Sequence, residues 1–160
     1  MLPTPAHEVI DPVVKLARKQ AERSRVRIEI FAAGDLPPVM MDAEQMKQVL
    51  LNLILNAIDA MPGGGRLTIY VDRSSDGLVI AVKDTGEGID PVVRATLFSP
   101  FVTTKARGSG LGLAIAHRLV SQHGGRIMAD DAAGGGAVFQ VWLPLNGSGK
   151  VIHAPAAPGG

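Results

Sequence analysis

Four stretches of this chain hold residue types that bind ligands. The first is a run of amides: Gln45, Gln48, Asn52, Asn56 and Asp59 recur at the spacing that lines up one stripe of a helix. A solvated stripe is ordinarily Lys and Glu, whose helix propensity exceeds that of Asn. Amide oxygens are neutral hard donors that can hold a magnesium ion beside a polyphosphate. They can equally satisfy buried backbone groups, and the helix alone admits both readings. The second stretch is Asp84-Thr85-Gly86-Glu87-Gly88-Ile89, directly after an apolar strand. A carboxylate at a strand end is an acceptor on the floor of a cleft, and the glycines let backbone pass close to a flat ligand. Such a carboxylate reads an exocyclic amino group, as on adenine, and repels the carbonyl that guanine presents there. A tight turn opened by Asp is the plain alternative.

The third stretch, Gly108-Ser109-Gly110-Leu111-Gly112-Leu113, opens a helix. Backbone N–H groups at a helix N-terminus, clear of Cβ atoms, suit phosphates. With G-x-G-x-G spacing and no strand leading in, it is not a Rossmann fingerprint. Gly147-Ser148-Gly149-Lys150 is not a P-loop, because Pro144 and Val151 stand where Gly and Ser or Thr belong. The fourth stretch runs from Leu97 to Lys105. Phe98 and Phe101 can anchor a flap in the core, which brings Lys105 near a phosphate at residues 108–112; a hydrophobic plug with a solvated lysine is the alternative.

The elements that position these stretches follow from periodicity. Met46, Val49, Leu50, Leu53, Ile54, Ala57, Ile58 and Met61 keep one helix face apolar for four turns. Asp42 suits the N-cap of that helix, and Pro62 with Gly63 to Gly65 stops it. A first helix is expected over residues 6–23, starting near Asp11 because Pro12 is tolerated only in a first turn. Strands are expected at 26–31, 66–72, 78–83, 126–129 and 138–143, with 74–77 a hairpin turn and 32–41 a loop. Pro91 to Leu97 reads as a short helix capped by Asp90, residues 98–109 as a loop, and Leu111 to His123 as the last long helix. The order predicts an α+β fold: a two-layer α/β sandwich with a mixed, mostly antiparallel sheet and helices on one face.

Length and composition fit one domain, residues 1–145, followed by a Gly-, Ala- and Pro-rich tail, 146–160, expected to be disordered. A net charge of +1 gives no reason to expect nucleic acid or an anionic membrane. There are no cysteines, so disulfides and thiolate metal sites are excluded. No apolar run reaches the length of a membrane span and no signal peptide opens the chain, so a cytoplasmic location is expected.

The four stretches, in this order and spacing, resemble the GHKL or Bergerat-fold ATP-binding superfamily, and most closely the catalytic domain of a bacterial sensor histidine kinase. QVLLNLILNAIDAM is similar to the N box, DTGEGI to the first glycine box, LFSPFVTTK to the F box and GSGLGLAIA to the second glycine box. HGGRI and GGGAVFQVWLP resemble the closing strands, and the NAIDAM and TTK wording looks like the nitrogen-regulation and oxygen-sensing types. The resemblance covers roughly residues 5–145.

The resemblance implies a site. Asn56 would ligate magnesium and bridge to the phosphates, with Asn52 in support. Asp84 would bind the adenine amino group, and Gly86 and Gly88, with Ile89, would shape the adenine wall. Lys105, with Thr104, Gly108, Ser109, Gly110, Leu111, Gly112 and Leu113, would hold the β and γ phosphates under a mobile lid. Asn52, Asn56 and Lys105 make up the implied catalytic set. The implied partners are ATP, the dimerisation domain of the same full-length protein that carries the acceptor histidine, and indirectly a response regulator. This segment is expected to be monomeric by itself. GHKL hydrolases such as gyrase B, and the anti-sigma-factor kinases, carry Glu where this chain has Asn52. A carboxamide is no general base, which favours transfer over hydrolysis. A nucleotide-dependent switch or serine kinase of the anti-sigma-factor type is the alternative.

Two positions depart from the pattern. Ala137 replaces the usual Thr, which implies modestly weaker binding, and Asp59 stands where relatives carry a base. His7-Glu8-x-x-x-Pro12 imitates a phospho-acceptor box, but the 45 residues from His7 to Asn52 leave no room for a second hairpin helix. His117 and His123 read as packing or solvent residues, and His153 has no acceptor context.

Overall fold

The computed structural model describes residues 1–99 and 111–145. A five-stranded sheet is covered on one face by three helices. In chain order the elements are β1 (Leu2–Thr4), α1 (His7–Arg23), β2 (Val26–Ala32), β3 (Val39–Met41), α2 (Ala43–Asp59), β4 (Gly65–Arg73) and β5 (Gly77–Lys83). A 3₁₀ turn (Arg94–Thr96), α3 (Gly112–Gln122), β6 (Arg126–Asp131) and β7 (Ala137–Pro144) follow. The sheet order is β2-β4-β5-β7-β6. Only β2 and β4 run parallel, and such a pair needs a crossover, which α2 supplies. The β4–β5 and β6–β7 pairs are the expected antiparallel hairpins. The two-layer α+β architecture is therefore as its periodicity implies.

Helix α2 lies between α1 and α3 and faces β4 and β5. Its apolar positions, among them Met46, Leu50, Leu53 and Ile58, are fully buried against Leu67, Ile69, Leu78 and Ile80. Each such side chain is worth about 1.5–3 kcal/mol of transfer free energy. Asp42 caps the helix as expected, its carboxylate accepting the Gln45 N–H at 3.1 Å. The helix stops at Asp59, two residues short of Met61, which is buried all the same.

Three expectations need correction. Helix α1 begins at His7, not near Asp11, and carries Pro12 inside it. Proline there removes one backbone bond at about 3 kcal/mol. Val9 and Ile10, upstream of it, are 1% and 3% exposed, and their burial offsets that loss. Residues 32–41 are not wholly loop, since Val39–Met41 pairs antiparallel with Leu2–Thr4 as a separate two-stranded sheet. The stretch 91–97 is not a regular helix. Asp90 does accept the Val92 N–H at 2.9 Å, but only the single 3₁₀ turn at 94–96 follows. Among the described residues no helix is long and apolar enough to cross a membrane. The tail 146–160, including Gly147 to Lys150 and His153, lies outside the described residues.

Candidate functional site

Strand β5 buries Leu78, Ile80 and Val82 on its inner face, and the next inward position is Asp84, 1% exposed. Two backbone donors hold its Oδ1: Gly86 N–H at 2.9 Å and Ala137 N–H at 3.1 Å. The Asp84 N–H in turn donates to the Ala137 carbonyl at 2.9 Å. Oδ2 is buried and accepts no hydrogen bond among the described residues. A buried carboxylate oxygen in that state is costly, and an N–H donor on a ligand relieves the cost. The donor and acceptor chemistry therefore fits an exocyclic amino group.

Glycines set this geometry, though not all in the expected way. A Cβ on Gly136, which has φ +91°, would overlap the Asp84 carbonyl oxygen. A Cβ on Gly86 would overlap the carbonyl oxygen of Ala60 at the end of α2. Gly86 thus seats the loop against α2. Gly88 has φ +84°, a left-handed conformation that L side chains rarely adopt. Ile89 is half-buried against the core, and its N–H reaches Asp131 Oδ1 at 3.4 Å. Arg94 pairs with Asp131 at 2.7 Å and with Asp130 at 3.6 Å, fastening the segment after the glycines to the end of β6. Sequence reading missed Gly136, Arg94 and Asp131. The Gly134 to Gly136 cluster was the one available signal.

On α2, Asn52 and Asn56 are half-buried one turn apart, as is Gln45 at the start of the stripe, while Gln48 and Asp59 face water. Asn52 Oδ1 accepts from Gln48 Nε2 at 2.9 Å, and its Nδ2 donates to the Gly112 carbonyl at 3.0 Å. Asn52 therefore ties the first residue of α3 to α2. Leu113 is half-buried against the core, and the carbonyl of Leu111 accepts the Ile115 N–H at 2.9 Å. Thr104, Lys105, Gly108, Ser109 and Gly110, with Phe101, lie outside the described residues. Phe98 packs against the core, stacked on His117 at 5.4 Å and edge-on to Phe139 at 6.2 Å, a contact that the flap anchor and the hydrophobic plug share. Among the described residues no group of three or more His, Cys, Asp or Glu could hold a metal. A cation at Asn56 would draw on amide, phosphate and water oxygens, a donor set that suits magnesium, which keeps several of its waters.

Residues 41–147 match the family described as histidine kinase-, DNA gyrase B- and HSP90-like ATPase. The chain is 38% identical over 138 residues to the sensor histidine kinase ZraS of Escherichia coli K12, covering 86% of this chain and 30% of that protein. The nucleotide-free catalytic domain of histidine kinase ThkA superposes with a TM-score of 0.81 at 28% identity, covering 91% of this chain and 97% of that one. Full-length ShkA, solved in complex with AMPPNP, also gives 0.81, at 29% identity, covering 92% of this chain and 31% of that one. The likeness to histidine-kinase catalytic domains and the ATP-binding expectation agree with these matches, and the chain belongs to the histidine kinase-, DNA gyrase B- and HSP90-like ATPase family.

Proposed function

We propose that this chain is the ATP-binding catalytic domain of a two-component sensor histidine kinase, and that it gives the γ-phosphoryl group of Mg-ATP to a histidine on a separate dimerisation domain. The observation that carries the reading is Asp84: a buried carboxylate with one oxygen locked by two backbone N–H groups and the other buried without a hydrogen-bond partner among the described residues. In this reading Oδ2 accepts the adenine amino group. The α3 N-terminus, with Lys105 and residues 108–113, takes the phosphates. Magnesium, held by Asn56 and the phosphates, supplies charge neutralisation when bound. Asn52 argues against water activation, because a carboxamide cannot take a proton and its amide is engaged with Gly112. The chain spans 30% of ZraS, so the acceptor histidine, the response regulator downstream and a cytoplasmic location belong to this proposal.

The test mixes the chain with a separately produced dimerisation hairpin and radiolabelled ATP. Acid-labile phosphohistidine on the hairpin is expected, with no label on the chain alone. Phosphoserine on a sigma-factor antagonist, with no phosphohistidine, would reassign the chain to the anti-sigma-factor class.

A further inference from the structure

The outer face of the sheet, away from the helices, carries a pattern that nucleotide binding does not use. Strand register places Arg27 beside Arg66, Glu29 beside Thr68 and Phe31 beside Tyr70 across β2 and β4. On β5, Lys83 lies beside Thr68 and Ala81 beside Tyr70, and the Thr85 hydroxyl accepts the Arg66 N–H at 3.1 Å. The face is thus a grid with a cationic row, a mixed row and an aromatic row. Arg25 joins the cationic end, where it lines an open depression of about 600 Å³ with Arg27, Arg66 and Thr85. Phe31 and Tyr70 are 55% and 42% exposed and stack at 5.7 Å.

Two features separate this face from an ordinary solvated surface. Like charges directly opposite on paired strands cost stability, yet Arg27 and Arg66 are such a pair. The ion pairs among the described residues are Lys47–Glu44 and those of Arg94, so Arg25, Arg27, Arg66 and Lys83 have no carboxylate partner there. The whole chain carries only +1, so this cluster does not simply reflect overall charge. Arg and aromatic side chains are also the types that dominate protein interfaces. The cationic and aromatic rows are four residues apart along β2, about 13 Å, too far for one small anion to engage both.

We infer that this outer face, from Arg25, Arg27 and Arg66 to Phe31 and Tyr70, is a docking surface for an acidic protein segment that carries an apolar side chain beyond its carboxylates. Glu29 lies between the two rows and disfavours a nucleic acid, whose backbone would set a phosphate there; a polypeptide can place a neutral or basic residue opposite it. Thr85 lies in the cationic row, while its neighbour Asp84 faces the opposite side of the strand, so docked partner and nucleotide occupy different faces.

The experiment titrates a synthetic Glu- and Asp-rich peptide carrying a single Phe into the full chain and follows backbone amide NMR shifts. Shifts should centre on 25–31, 65–70 and 81–85 and shrink with added salt. Arg66→Ser and Tyr70→Thr should each weaken binding about tenfold. Arg27→Ser, on the edge strand, should do the same if Arg66→Ser alters the cooperative melt. Equal binding by all these variants overturns the inference. So do inorganic phosphate reproducing the same shifts, and an oligothymidylate binding these amides more tightly than the peptide.

Discussion

His123 and Asp42, 81 residues apart, are joined by a hydrogen bond in which the ring Nε2 accepts the Asp42 backbone N–H at 3.0 Å. The other ring nitrogen lies 2.8 Å from the Leu119 carbonyl, which can only accept. The ring is therefore neutral with its proton on Nδ1, a tautomer fixed from both sides. His123 is 1% exposed, and it connects the end of α3 to the N-cap of α2. Asn52 makes the reciprocal tie, from α2 to the start of α3.

His123→Ala breaks one of these ties and leaves the part-buried Asp42 N–H unpaired, while the Leu119 carbonyl keeps the bond from the backbone N–H of residue 123 at 3.2 Å. The expected loss is about 1–3 kcal/mol of unfolding free energy. Urea denaturation should show a lower midpoint with an unchanged slope. A midpoint within error of the parent would mean that the ring packs without bonding.

Asp84→Asn separates the two jobs of that carboxylate. An amide oxygen can keep both bonds from Gly86 and Ala137, so the variant should fold. At the Oδ2 position it presents an NH₂, which faces the adenine amino group as a second donor. Saturating Mg-ATP at 100 times Kd should stabilise the parent by about 2.7 kcal/mol. The variant should show almost none of this shift at the same concentration, and the parent's preference over GTP should vanish. An undiminished thermal shift in the variant removes Asp84 from the adenine position.

Much of this arrangement is legible in the sequence, and the illegible parts share a cause. The α2 face, the Asp42 cap and both hairpins rest on periodicity and on residues close in sequence. The pairing of β1 with β3 joins two three-residue strands, one containing Pro3, too short to show alternation. Helix α1 runs through Pro12 because tertiary burial outweighs a local penalty. His123 reads as packing because its partner lies on another element, and the Ala137 N–H is invisible to any scan for side-chain chemistry. Gly86 was recognisable as a close approach, but not as one to α2.

That last distinction gives a paired prediction. Gly86→Ala forces a Cβ onto the Ala60 carbonyl and should cost about 2–3 kcal/mol. Among the described residues, Gly112→Ala meets Asn52 atoms, the nearest at 3.8 Å, and should leave stability unchanged or raise it by up to about 0.5 kcal/mol. If phosphates sit at the α3 N-terminus, the same methyl should weaken ATP about tenfold. Calorimetric melts and nucleotide titrations on both variants read this directly. Weaker folding in Gly112→Ala with unaltered ATP affinity would place the phosphates elsewhere.

Asn52 and Asn56 lie on one stripe yet should fail differently when changed. Asn52→Asp replaces the Nδ2 donor with an oxygen that faces the Gly112 carbonyl, and two acceptors at that separation repel. The expected loss is about 1–2 kcal/mol of stability, together with weaker Mg-ATP binding, because α3 is no longer held at its first residue. ATP hydrolysis should not rise: a carboxylate placed against a carbonyl is not thereby aimed at water, and proton abstraction is decided first by geometry. Asn56→Ala, by contrast, should lose the magnesium dependence of nucleotide binding. Magnesium titrations at fixed ATP separate the two variants. An Asn56→Ala protein whose ATP affinity still climbs with magnesium as the parent's does would assign the metal to other ligands.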